Sequence, residues 1–183
     1  MAPAAPLIHW PQGATANLEM FWRWLHYFGQ IAGAEAKNGH GNAGAFFGSW
    51  ILIWIVVWVI FYALLRVGNG ALLFMGSTAA MIAANWLFLR INSHGWESNR
   101  SLAIGIGGGM GLFLLLNVWG IVWRANKKIL RWMEAANKNG SPMPPEAATL
   151  ARQAALTSRF SFYLTFVIIF FMAAASHFPL FGV

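Results

Sequence analysis

Four of the chain's five histidines are the residues best suited to chemistry, because imidazole nitrogens bind haem iron and the metals Fe, Cu and Zn. His26 and His177 fall in predominantly apolar stretches, whereas His40 and His94 lie in the short polar segments KNGHGNAG and RINSHGWE. These positions predict a metal site, or a haem b site, that uses one or more of the four imidazoles. The simpler alternative is interfacial histidines bonded to backbone or water, and it is favoured for His40 and His94.

Three further polar residues are candidates for holding a cofactor beside these histidines. Arg23 precedes His26 by about one helical turn and could pair with a haem propionate. Asn117 and Arg159 lie near the ends of two apolar stretches, and we expect both at the depth of His26, in the inner half of the membrane. His177 follows Arg159 by 18 residues, or roughly 27 Å of helix. It should therefore lie near the opposite surface, too far away to share one haem with His26.

Long apolar stretches must position these residues. The chain has 183 residues, of which 58% are hydrophobic and 9% charged, whereas roughly a quarter of the residues in soluble domains are charged. A helix needs about 20 apolar residues to cross the hydrocarbon of a bilayer, and four stretches reach that length: 46–65, 67–89, 101–123 and 160–182. The sequence therefore predicts an all-α, polytopic membrane helix bundle, a single integral domain in contact with the lipid bilayer.

A fifth span is predicted over residues 18–34, where aromatic and apolar residues cover most of the helix circumference. This stretch also contains Glu19, Arg23 and His26. Glu19 and Arg23 are one turn apart in the order that favours an ion pair within a helix. The alternative is an amphipathic helix that lies in the membrane interface.

The basic residues are distributed unequally between the two sides that five spans define. One side carries eight of them: Arg66, Arg124, Lys127, Lys128, Arg131, Lys138, Arg152 and Arg159. The other side carries three: Lys37, Arg90 and Arg100. Because Lys and Arg are retained on the cytoplasmic side, we expect the N-terminus in the cytoplasm and the C-terminus in the periplasm. The positive charge then reflects topology and anionic lipid, and no nucleic-acid partner is predicted.

The stretch 124–159 is the largest predicted extramembrane segment, a basic cytoplasmic loop. Its first part should continue the fourth span as a helix, break at Asn139 and Gly140 and the following SPMPP, and resume as a helix from Glu146. A segment of this size is too small for an independent catalytic domain. Any chemistry therefore lies in or near the bilayer, and whether this chain is itself an enzyme stays open.

Two repeats inside the predicted spans indicate helix packing. The glycine-rich run 105–111 contains small-xxx-small pairs, which allow another helix to approach closely. The spacing of its glycines is similar to that of a dinucleotide-binding fingerprint. Dinucleotide binding is not expected, however, because the run lies within a lipid-spanning helix. Trp50, Trp54 and Trp58 form an aromatic stripe at four-residue spacing. A packing or lipid-facing surface is the favoured interpretation of this stripe, and stacking on a cofactor is the alternative.

Three segments carry a family resemblance. They are residues 23–26 (RWLH), 117–130 (NVWGIVWRANKKIL) and 151–179 (ARQAALTSRFSFYLTFVIIFFMAAASHFP). The second is similar to an NVW…WxxNxKK signature, and the third to a span that opens with AxxxSR and closes with SHxP. Together they resemble the N-terminal membrane domain of the bacterial, cytochrome c-linked, membrane-bound urate oxidases. A looser similarity extends to other membrane proteins with a haem histidine in an early helix.

The resemblance implies a membrane scaffold of a respiratory electron-transfer system in a bacterial inner membrane. It maps the family's matched positions onto His26, Asn117, Arg159 and His177, and it implies a c-type cytochrome or a quinone as the electron partner. The family's cytochrome c domain has no counterpart here, because a chain without cysteine holds no c-type haem and no Fe–S cluster. The alternative function is a non-catalytic accessory subunit of a larger membrane oxidoreductase or photosynthetic complex.

Overall fold

A computed structural model describes residues 14–181, and over this range the chain is helical and contains no strand. The helices in chain order are α1 (Ala14–Asn38), α2 (Ala43–Val67), α3 (Gly70–Ile91), α4 (Asn99–Asn117), a π-helical turn (Val118–Val122), α5 (Trp123–Asn139) and α6 (Glu146–His177). The predicted all-α helix bundle is confirmed.

Four helical segments are long and apolar enough to cross a bilayer: α2, α3, the continuous helix Asn99–Asn139 and α6. They match the four predicted spans, and they make this chain a multi-pass membrane protein. Helix α6 ends at His177, five residues before the predicted end of its span, because Phe178 is extended (φ −135°, ψ 130°) and Pro179 follows it. Helix α1 is not among the four apolar segments, because its polar residues lower its hydropathy.

Short polar connections set the helix boundaries. Asn42, Asn69 and Ser98 cap the N-termini of α2, α3 and α4, each accepting a hydrogen bond from a backbone N–H of the first turn. Gly68 ends α2 in the left-handed region (φ 78°), and Gly140 ends α5 in the same way (φ 63°). The predicted break between α5 and α6 is therefore confirmed.

The continuous helix Asn99–Asn139 is 41 residues long, or about 60 Å, roughly twice the hydrocarbon thickness of a bilayer. Helix α5 and the first half of α6 form its extension past the membrane, joined by an ion pair between Lys128 and Glu146 (3.1 Å). At the same end, Arg152 donates a hydrogen bond to the carbonyl of Gly68 (3.0 Å). The structure thus gathers at one end of the bundle several of the basic residues that the sequence analysis assigned to one side.

Helix α4 is the centre of the bundle, and residues 101–110 are all buried. Its glycines leave room for aromatic rings from neighbouring helices: a Cβ at Gly105 would overlap Phe88, and one at Gly109 would overlap Trp54. Trp50 also packs here and donates a hydrogen bond from Nε1 to the carbonyl of Gly105 (2.7 Å). Trp50 and Trp54 therefore belong to the core, as the packing interpretation of the tryptophan stripe predicted.

Helix α1 runs antiparallel to α4 along most of its length. Trp24 packs on Gly108, while at the other end Glu35 accepts hydrogen bonds from the backbone N–H (3.1 Å) and hydroxyl (2.6 Å) of Ser98. The predicted shared depth of His26 and Asn117 is wrong, because Gly108 is nine residues from Asn117, or about 14 Å along α4. His26 lies beyond Trp24 toward the Ser98 end, in the opposite half of the bundle.

Candidate functional site

A cavity of about 570 Å³ opens at the end of the bundle where α1 joins α2 and α3 joins α4. His40 and His94 both line it, so the structure brings together two of the four predicted imidazoles. The other polar or aromatic residues of its wall are Asn42, Phe46, Asn92 and Trp96. His26 and His177 are not part of this wall.

His94 is held by the carboxylate of Glu97. One carboxylate oxygen of Glu97 accepts a hydrogen bond from the backbone N–H of His94 (2.8 Å). The other carboxylate oxygen lies 3.0 Å from the Nδ1 of the His94 ring. The Glu97 side chain is only 1% exposed, whereas that of His94 is 65% exposed. A buried carboxylate on Nδ1 favours the tautomer whose Nε2 carries the lone pair, which is how histidine ligands are oriented at many metal sites.

His40, which also lines the cavity, lies in a strained loop between α1 and α2. Its φ of 55° makes it the only residue other than glycine with a positive φ in the described part of the chain. Gly39 and Gly41 flank it, and a Cβ at either would overlap Trp96. Close packing of this loop on Trp96 therefore fixes the position of His40 at the mouth of the cavity.

The histidines do not gather into one metal cluster. Within the described residues, no group of three or more His, Asp or Glu side chains is arranged to hold a metal ion. Of the polar side chains that line the cavity, the Oδ1 of Asn42 caps α2 and the Nδ2 of Asn92 donates to the carbonyl of Phe88 (2.9 Å), which leaves the imidazoles of His40 and His94 as the candidate ligands. A metal at any of the four predicted histidines stays a prediction.

His26 and Arg23 lie on the outward face of α1, away from the core. The Nε2 of His26 lies 3.1 Å from the Nε2 of Gln30. Arg23 forms an ion pair with Glu19 at 2.6 Å, which confirms the predicted pair within the helix. All four side chains are therefore partnered within α1 itself, and none of them contacts α4.

His177 and Arg159 lie on one unbroken helix, as the sequence analysis assumed, so the predicted spacing of roughly 27 Å between them holds. Both residues are exposed. Beyond His177, the amide of Asn99 donates to the carbonyl of Phe178 (3.0 Å) and accepts from the backbone N–H groups of Leu180 (2.7 Å) and Phe181 (2.9 Å). These bonds fasten the segment after α6 to the first turn of α4.

Asn117 is completely buried at the junction of α4 and the π-helical turn. Its amide donates a hydrogen bond to the hydroxyl of Ser161 on α6 (3.2 Å). The Oδ1 of Asn117 and the hydroxyl of the buried Thr157, one turn from Ser161, have no partner among the described residues. Two of the segments that carry the resemblance, 117–130 and 151–179, thus meet at one polar contact inside the bundle.

A second cavity, of about 440 Å³, lies between α3, α4 and α6, and we call it the lateral groove. Met81 and Met110 line it, and Phe74 closes one end by packing against Phe160 (5.6 Å between ring centroids). Its wall is apolar except for Thr78, Asn85 and the phenol of Tyr163. The Oδ1 of Asn85 is buried and has no hydrogen-bond partner within residues 19–181.

Sequence reasoning singled out neither the lateral groove nor Glu97. Asn85 is the signal that could have revealed the groove, because it is the one amide in the apolar run MIAANWLFL and polar residues inside spans are usually functional. Comparison of the chain with family models, with curated proteins and with solved structures finds no match.

Proposed function

We propose that this chain is the membrane-embedded part of a respiratory-type electron-transfer system and that the lateral groove holds an isoprenoid quinone, its electron carrier. The resemblance to the urate oxidase membrane domain supports the electron-transfer setting. The buried hydrogen bond between Asn117 and Ser161 joins two of the segments that carry this resemblance.

The lateral groove is the observation that supports quinone binding. Its volume of about 440 Å³ lies in the range of small-molecule sites, roughly 300–1,000 Å³. An apolar wall suits an isoprenoid tail, and the amide of Asn85 suits the polar head. A primary amide can donate to a quinone carbonyl or accept from a quinol hydroxyl, so Asn85 can bind both oxidation states. Such a bond would satisfy the buried Oδ1 or the Nδ2 of Asn85, whichever faces the ring.

Haem b fits the described residues less well. His26 is exposed on the outward face of α1, and His40 and His94 lie at a different place, around the end cavity. A single chain therefore offers His26 alone as an axial ligand on that face, with Arg23 already bonded to Glu19. We propose that a c-type cytochrome, or another subunit of the complex, supplies the redox metal.

The direction of insertion follows from the basic residues. We propose a bacterial inner-membrane protein whose α5–α6 extension lies in the cytoplasm, because Lys and Arg are retained on that side. The end cavity with His40 and His94 and the end of α6 then face the periplasm, where c-type cytochromes act.

Quinone binding is tested by extracting the purified protein with organic solvent and by labelling it with a photoreactive quinone analogue. We expect bound quinone in the extract and cross-links within α3 and α6. Asn85→Leu should lower the bound quinone about ten-fold, since a polar ligand contact of this kind contributes about 1–2 kcal/mol. Met75→Leu, on α3 but outside the groove, is the matched control. Extracts without quinone, or equal binding by both variants, contradict the proposal.

An absorption spectrum of the purified protein distinguishes haem binding by this chain from the accessory-subunit function. Soret and α bands that disappear in His26→Ala or His177→Ala would show that this chain itself ligates haem. A colourless protein that co-purifies with a large oxidoreductase would favour the accessory-subunit function. The extension of the continuous helix about 25–30 Å past the bilayer favours that alternative, because it presents basic residues of α5 to another subunit.

A further inference from the structure

The outward face of α1 carries a row of polar side chains along the whole helix. Glu19, Arg23, His26, Gln30 and Lys37 recur at three-, four- and seven-residue spacing, so they lie on one side of the helix. Gly33 lies beside the same row, and a Cβ placed on it would meet nothing within 4 Å. We call this face the α1 stripe. The opposite side of α1, with Phe28 and Ala32, is completely buried.

The N-terminal half of the stripe lies at the depth of the hydrocarbon. Trp24 packs on Gly108, and Phe21 shares a cavity wall with Leu115 and Val118. Glu19 and Arg23 are therefore level with the central part of the apolar stretch 101–123. Their side chains are nevertheless 49% and 63% exposed, respectively.

Lipid is a poor neighbour for this face. Ionisable side chains inside membranes are costly, and they almost always face the bundle interior or a water-filled cavity. The Arg23–Glu19 ion pair and the contact between His26 and Gln30 lower that cost, but the four side chains stay on the exposed side of the helix. A second protein surface packed on the stripe would make it part of a bundle interior and remove this cost.

We propose that the α1 stripe is the contact between two copies of this chain, related by a two-fold axis along the membrane normal. Such an axis places each residue of the stripe near its own mate. The stripe is self-complementary under that operation: the amide of Gln30 both donates and accepts, so it can pair with its copy. Arg23 of one copy can reach Glu19 of the other, because the two residues are one turn apart.

Gly33 makes close approach of the two helices possible. Small residues at helix contacts in membranes let the backbones come near each other, and polar side chains then bond across the interface. Gly29 precedes Gly33 by four residues, and a Cβ on it would also meet nothing within 4 Å. Neither glycine is needed to accommodate a neighbour within one chain.

Disulfide cross-linking tests the contact directly, because the chain contains no cysteine and each introduced one is unique. Gly33→Cys and Lys37→Cys lie on the stripe and leave its Glu, Arg, His and Gln side chains in place. Oxidation of native membranes should convert both to dimers. Met75→Cys, on the lipid-facing side of α3 and 71% exposed, should stay monomeric. The proposal would be overturned if all three cysteines cross-linked equally or if neither cysteine on the stripe cross-linked. It would also be overturned if the cysteines on the stripe cross-linked only to a different protein.

A second measurement does not depend on cysteine chemistry. Gly33→Leu should raise the dimer dissociation constant in detergent by about ten-fold, the effect of roughly 1–2 kcal/mol typical of such membrane contacts. Gly48→Leu is the matched control, because a Cβ at Gly48 on α2 also meets nothing within 4 Å. Light scattering should find dimers of the parent and of the control at concentrations where Gly33→Leu is monomeric. A monomeric parent, or identical constants for all three proteins, contradicts the two-fold contact.

Discussion

Helices α1 and α6 both pack on α4, yet they do so in different ways. Against α6, α4 presents Gly107, where an added Cβ would lie 3.2 Å from the Cβ of Phe171 and 3.5 Å from the backbone carbonyl oxygen of Ile168. Against α1, it presents Gly108, which is covered by the indole of Trp24 rather than by backbone. Helix α6 is therefore joined to α4 through closely spaced backbones, and α1 through one large side chain.

The same two helices differ on their outer sides. Helix α6 exposes apolar residues, among them Phe162, Phe166, Ile169 and Phe170, which suit lipid. Helix α1 exposes ionisable residues at the same depth. Helix α6 therefore has an apolar outer side, whereas the outer side of α1 carries Glu19 and Arg23.

The largest expected effect is at the closely spaced pair. Gly107→Leu should destabilise the bundle by about 3 kcal/mol, because the nearest atom of α6 is the Cβ of Phe171, which moves only with its backbone. Gly111→Leu is the control, since a Cβ at Gly111 meets nothing within 4 Å. Thermal unfolding in detergent should separate the two variants by many degrees. Equal midpoints would remove the distinction between the two sides of α4.

A smaller and more local loss of stability is expected where α1 packs on α4. Gly108→Leu displaces the ring of Trp24, so we expect a loss of about 1–3 kcal/mol, confined to the packing of α1. Hydrogen exchange should quicken in α1 while α4 and α6 stay protected. If exchange quickens in all three helices together, α1 is as integral to the bundle as α6.

The next largest effect is expected at the hydrogen bonds that join the end of α6 to the start of α4. Asn99→Ala removes three hydrogen bonds, to Phe178, Leu180 and Phe181, and we expect a loss of about 1 kcal/mol because the site is exposed. The amides of Leu180 and Phe181 should exchange faster. Asn126→Ala, on the exposed side of α5, is the control that should change neither quantity.

The smallest effect is predicted at the buried polar contact. Asn117→Ala and Ser161→Ala should each destabilise the bundle, with a coupling of about 0.6 kcal/mol in a double-mutant cycle, as interhelical hydrogen bonds in membranes typically give. Unfolding in detergent of the four proteins in the cycle measures it. A coupling of zero would mean that the bond does not hold α4 to α6.

Much of this fold could be predicted from the sequence, because its determinants are local. The four apolar spans follow from hydrophobicity alone, and the break between α5 and α6 follows from Gly140 and the prolines after it. The ion pair of Glu19 with Arg23 follows from helical spacing. Each of these features depends on residues close together in the chain.

The site was less predictable, because it depends on how helices pack. The depth of His26 was misplaced because α1 continues to Asn38 and is aligned with α4 by Trp24 and Glu35, contacts that no local pattern reveals. The lateral groove exists because α3 and α6 stand apart beside α4, and a single Asn85 in the sequence does not define such a space. The joint cavity of His40 and His94 likewise requires two loops that are distant in the chain to meet.

We propose that α1 crosses the bilayer beside α4, with the basic end of the bundle in the cytoplasm. Labelling of single cysteines with a membrane-impermeant maleimide, in vesicles of both orientations, tests it most directly. We predict that Ala2→Cys and Ser141→Cys label from the cytoplasmic side and Ser93→Cys from the periplasmic side. Labelling of Ala2→Cys from the same side as Ser93→Cys, opposite to Ser141→Cys, would show that α1 does not cross and would contradict the account.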